Sequence, residues 1–73
     1  MEQFINTADD MEWLKDVHIP DLPDNAQSAV IVGNEDWPES IKIYTSQEPR
    51  FDDSYSEYVR GKYPSENFTL NIY

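Results

Sequence analysis

The side chains that could do chemistry in this chain are mostly carboxylates: fifteen Asp and Glu stand against five Lys and Arg, with one histidine and no cysteine. Nucleophilic catalysis of the Ser–His or Cys–His kind needs a base beside a positioned nucleophile. His18 is the one histidine, and neither a thiol nor a G-x-S-x-G element accompanies it. Placed before Ile19-Pro20, it reads as a loop residue. Paired carboxylates could act as a general acid and base on a glycoside, but such a dyad needs a sugar-sized cleft. Seventy-three residues leave little chain to build one. The sequence therefore points away from an enzyme, with no catalytic residue and no cofactor expected.

Oxygen-rich clusters could instead hold a hard cation. Asp21, Asp24 and Asn25 form one such cluster, and Asn34, Glu35 and Asp36 another. Neither has the EF-hand spacing, and neither supplies the six to eight oxygens that Ca²⁺ takes. Ordinary turn chemistry accounts for both, so no metal site is expected. Asn67-Phe68-Thr69 matches the glycosylation sequon. It falls inside an expected strand, and no basic n-region and apolar h-region open the sequence.

What remains is charge and its distribution. The net charge is −10 and the pI about 4.1. Residues 1–41 carry ten acids and only Lys15, whereas residues 42–73 carry five acids and four bases. Such a surface disfavours direct contact with nucleic acid or anionic lipid, since neutralising phosphates needs the opposite sign. It favours a basic protein partner. A solvated acidic surface that simply keeps a small protein soluble is the competing explanation; it accounts for the total charge better than for the asymmetry.

The elements that would carry these acids can be read from the pattern. Thr7 is a helix N-cap, with Asp9 and Asp10 in the first turn, where the helix dipole favours anions. From Ala8 to about Val17, Met11, Trp13, Leu14 and Val17 share one arc, while Asp9, Glu12 and Asp16 fall opposite. Along the axis those three carboxylates stand about 4.5 and 6 Å apart at ~1.5 Å per residue. Phosphates on one strand of a duplex step about 3.4 Å, within side-chain reach of that spacing. Pro20 and Pro23 end the helix, leaving His18 to Gln27 as an irregular connection that carries Asp21 and Asp24.

The stretch from Ser28 to Gln47 is the organising hairpin. Ala29-Val30-Ile31-Val32 is an unbroken apolar run, the mark of a strand covered on both faces. Ile41 and Ile43 alternate with Lys42 and Tyr44, giving the second strand one buried and one wetter face. The loop between them holds Glu35, Asp36, Trp37 and Glu39. Trp37 in that setting is either an interface anchor or a lid folded over the core, the lid being slightly favoured.

Downstream of the hairpin, Asp52, Asp53 or Ser54 caps a second short helix, roughly Ser54 to Arg60, with Phe51, Tyr55, Tyr58 and Val59 on one side and Gly61 then Pro64 as its stop. Phe68, Leu70 and Ile72 alternate with Thr69, Asn71 and Tyr73 as a half-buried closing strand. Met1 to Asn6 adds a possible first strand. The expected fold is a single small α+β domain over residues 1–73. A small antiparallel sheet of three or four strands carries two short helices packed on one face, in ferredoxin-like order if Met1 to Asn6 is a strand.

In kind, this chain is similar to the small acidic inhibitors that phages and mobile elements direct at DNA-handling enzymes: DNA-mimic anti-restriction and anti-CRISPR proteins and the uracil-DNA glycosylase inhibitor. It is also similar to acidic immunity proteins and barstar-like inhibitors that cap nucleases. The likeness lies in size, charge, the missing cysteines and the missing catalytic equipment. It implies a non-enzymatic inhibitor in the cytoplasm of a host bacterial cell, bound to the basic nucleic-acid site of a defence or DNA-processing enzyme. The residues expected to carry that contact are Asp9, Glu12, Asp16, Asp21, Asp24, Glu35, Asp36 and Glu39, with Trp37 as anchor. The alternative is a protein–protein adaptor, immunity protein or regulatory subunit that binds through Trp37 and an aromatic sheet face bearing Tyr44 and Tyr73.

Overall fold

Thr7 begins the helix as its chemistry requires. It sits in extended conformation, and its hydroxyl accepts the backbone N–H of Asp10 at 3.2 Å. In the computed structural model, which describes residues 1–50, 54–61 and 68–72, the elements run β1 (Glu2–Ile5), α1 (Ala8–Val17), β2 (Ser28–Gly33), β3 (Pro38–Tyr44), β4 (Tyr55–Val59) and β5 (Thr69–Ile72). The five strands form one antiparallel sheet in the order β1-β2-β3-β4-β5. Over the described residues the fold is thus a small antiparallel sheet with one short helix, an α+β arrangement.

The sheet has five strands rather than the expected three or four, and the second helix and the ferredoxin-like order are corrected as well. The segment expected as a second helix, Ser54 to Arg60, is strand β4. Its proposed caps Asp52 and Asp53, with Phe51, lie outside the described residues. Tyr55, Tyr58 and Val59 at i, i+3, i+4 fit a helical face, but five residues of Tyr, Ser, Glu and Val equally suit a strand. The edge of β3 decides the matter, because pairing from Ser40↔Val59 to Tyr44↔Tyr55 satisfies backbone groups that an isolated short helix would leave to water. The order is not ferredoxin-like either. In a split βαβ unit the strands flanking a helix are parallel and one strand apart. Here α1 joins β1 and β2, which are antiparallel neighbours.

Register places the core on one side of the sheet. Ile5, Ala29 and Ile43 line up across β1, β2 and β3, and Ile31, Ile41 and Tyr58 across β2, β3 and β4. Met11 and Leu14 of α1 pack on these, joined by Ile19 and Leu22 from the connection after the helix. Leu14, Ile31 and Ile41 are fully buried; each such side chain contributes about 1.5–3 kcal/mol relative to exposure. Val17, expected on the apolar arc, is 52% exposed because the chain turns away at the His18 C-cap. The run Ala29-Val30-Ile31-Val32 is not covered on both faces as expected. Val30 and Val32 are only half-buried, on the side away from the helix.

Gly33 ends β2 with φ +102°, and a Cβ there would lie 3.0 Å from the Glu39 backbone nitrogen. The register of β2 and β3 shifts between Val32 and Gly33, and the Gly33 N–H donates to the Met1 carbonyl at 2.7 Å. Glycine is used here because the bulge needs both the positive φ and the close approach.

Candidate functional site

All eight carboxylates singled out in the sequence, Asp9, Glu12, Asp16, Asp21, Asp24, Glu35, Asp36 and Glu39, are exposed. The fold gathers them into three settings. Glu12 and Asp16 of α1 and Asp24 of the following connection line one concavity of about 380 Å³, with Lys15 on the same wall and Met11, Leu22 and Ala26 as its apolar floor. Lys15 neutralises part of that field. Asp9 stands a turn away at the helix start. Asp21 instead lies near Tyr58, whose hydroxyl is pushed above its ordinary pKa first by burial and then by the Asp21 charge.

The loop between β2 and β3 holds the third group. Asn34 shapes it: its side-chain oxygen accepts the Asp36 N–H at 2.8 Å, and its carbonyl accepts the Trp37 N–H at 3.2 Å. This is a side-chain-closed turn, and it fixes Glu35 and Asp36 at the tip. It also commits Asn34 to the backbone, and among the described residues no group of three or more His, Cys, Asp or Glu side chains could hold a metal ion.

Trp37 does not cover the core; it is 70% exposed. The residue after it explains why. Pro38 takes the buried position at the start of β3, so the indole is turned outward. One face of the ring is covered by Arg60, whose guanidinium carbon stands 3.8 Å from the ring centre. Arg60 is itself anchored: its Nε donates to the Pro38 carbonyl at 2.9 Å and its backbone N–H to the Glu39 carbonyl at 3.2 Å. A cation held this way stabilises the indole's orientation and offsets part of the charge of Glu35, Asp36 and Glu39. No motif in the sequence marks Arg60 for this place. The register Ser40↔Val59 brings it there by carrying the end of β4 alongside the start of β3.

His18 lies just past the end of α1, in the connection where the sequence places it, but as a buried helix cap, 8% exposed. Its ring meets Trp13 edge-on at 5.2 Å and Phe68 at 5.9 Å, while its backbone N–H closes the helix on Leu14. The ring lies against the Glu35 backbone, which favours its protonated form, and Nε2 is buried without a partner among the described residues. Burial holds its pKa below the usual 6.5, and the nearby Arg60 charge acts in the same direction; the Glu35 contact and the Asp36 carboxylate act against it. His18 thereby docks the acidic loop on the C-terminal end of α1. The helix acids and the loop acids are held by adjoining elements, and a series of ring contacts runs from Trp13 through His18, Phe68 and Arg60 to Trp37.

No helix among the described residues is long and apolar enough to cross a membrane. Comparison with protein-family models, with curated proteins and with solved structures returned no match.

Proposed function

We propose that this chain is a non-enzymatic acidic inhibitor, of phage or mobile-element type, that occupies the basic nucleic-acid site of a larger enzyme with its carboxylates in place of phosphates. The observation that carries this reading is the docking of the Glu35–Asp36 turn on the helix that bears Glu12 and Asp16, through the His18 contact. Two exposed acidic segments are thereby held by a buried residue rather than left to move independently. Preorganised charge loses little entropy on binding and steers a basic partner by long-range attraction. Trp37, projecting beside Glu35 and Asp36 with its inner face braced by Arg60, supplies the apolar anchor that charge alone lacks. The host-cell cytoplasm is the compartment this role requires.

The test is affinity capture from a bacterial lysate, using the wild-type chain and a variant carrying Glu35→Lys and Asp36→Lys as baits. Nucleic-acid enzymes held by the first bait, released by salt and absent from the second, are the expected result. Capture that the charge reversal does not alter would end the proposal and favour an adaptor working through Trp37.

A further inference from the structure

The sheet has a second side. Phe4, Val30, Lys42, Glu57 and Asn71 form one row across all five strands, facing away from the helix. Val32 and Val59 stand in the next row, and the Tyr44 and Tyr55 rings meet at 5.2 Å in the row beyond Lys42. None of the apolar members belongs to the core cluster or packs against it. Phe4 is 45% exposed, and the valines and tyrosines are half-buried. Among the described residues the turn after β3 reaches this side at one end, where the Ser46 carbonyl accepts the Ser28 hydroxyl and Ser28 is fully buried; no described helix or strand lies over the rest.

Charge selects what could cover it. The acids of α1, of its following connection and of the Glu35–Asp36 turn belong to the helix side or to the end of the sheet, and a basic partner is drawn to those. The open side carries few charges: Lys42 and Glu57 as register partners at its centre, and Glu2 at the β1 edge beside Val32. A surface with one cation and one anion side by side at its middle is complementary to itself under a two-fold rotation. It is also the side on which two copies of a chain of charge −10 can meet with least repulsion.

We infer that two copies of this chain pair face to face through the open side of the sheet, about a two-fold axis running parallel to the strands between β3 and β4. That axis sets Lys42 over the partner's Glu57 and Tyr44 over the partner's Tyr55. It also brings the Val30 and Val59 positions inside the contact, with the two sheets stacked about 10 Å apart. The acidic helix sides then point outward from both ends of the dimer. Salt separates this contact from enzyme binding. Screening reduces the repulsion between two acidic copies, so self-association strengthens with salt, whereas attraction to a basic partner weakens.

The test is analytical ultracentrifugation of the full chain over a concentration series up to about 1 mM, at low and high salt. The expected mass is twice 8.6 kDa, with association tighter at high salt. Lys42→Glu and Glu57→Lys are each expected to weaken it about tenfold or more, and the double exchange to restore it. Should a single variant fail to fold, zero-length carbodiimide coupling in a mixture of ¹⁴N- and ¹⁵N-labelled wild-type chains reads the same contact. A mixed-label Lys42–Glu57 cross-link supports the dimer. A monomer at every concentration overturns the inference, as does a dimer indifferent to both charge changes or free of that cross-link.

Discussion

Replacing Arg60 by Ala removes two contacts at once and divides the two halves of the binding argument. The guanidinium donates to the Pro38 carbonyl at 2.9 Å and covers the Trp37 ring at 3.8 Å. A hydrogen bond from a charged donor contributes about 1.5–3 kcal/mol, with a half-buried site at the low end. A cation over an exposed ring adds about 0.5–1 kcal/mol. The expected loss is therefore about 2 kcal/mol, or roughly 8–16 °C in Tm for a chain this short. Urea unfolding followed by circular dichroism measures the loss. Trp37 fluorescence in a Trp13→Phe background reports release of the indole. Arg60→Lys keeps the charge but not the planar fork, so most of the loss should persist. Partner binding then separates the contributions. The Ala variant is one unit more negative than −10, so a contact driven by charge tightens, whereas a contact that needs a braced indole weakens. Wild-type stability in the Ala variant, or full rescue by Lys, would refute the bracing role.

Leu14→Ala should cost about 2–5 kcal/mol, because the side chain is fully buried between helix and sheet. A domain this size has only about 4–11 kcal/mol in total, so chemical denaturation should show a large shift in midpoint, and a loss under about 1 kcal/mol would contradict the packing. Gly33→Ala meets the Glu39 backbone at 3.0 Å with φ at +102°, and a cost of about 1–3 kcal/mol is expected in the same assay. His18 gives a signed pH dependence. Its folded pKa lies below the ordinary 6.5, so the unfolded chain binds the extra proton and stability falls as pH drops through 6.5 toward the folded value. In His18→Phe that part of the acid sensitivity should vanish from the stability–pH profile; an unchanged profile would show that the histidine is not buried as described.

Much of this was legible in the residues. Thr7, the first-turn aspartates and the spacing of Met11 and Leu14 specify α1 locally, and its bounds Ala8–Val17 agree with the pattern. The alternation of Ile41 and Ile43 with Lys42 and Tyr44 likewise fixed which side of β3 is buried. β4 was not legible, because Tyr55-Ser56-Glu57-Tyr58-Val59 satisfies both periods and only the waiting edge of β3 chooses between them. The acids could be named from sequence, yet what joins them could not. His18 reaches Glu35, and Arg60 reaches Trp37, through contacts seventeen and twenty-three positions apart in sequence that no local signal encodes. The direction of Trp37 also escaped, since a tryptophan before a proline is apolar enough to be a lid. Pro38 taking the buried position is what turned it outward.

The most direct test of the central claim is competition on a captured enzyme. Its affinity for its own nucleic acid is measured with and without this protein, across rising salt. Mutually exclusive binding, weakening with salt and abolished by Glu35→Lys with Asp36→Lys, is the result expected of carboxylates standing in for phosphates. An enzyme that holds its nucleic acid and this protein together, with affinity indifferent to salt, would contradict it.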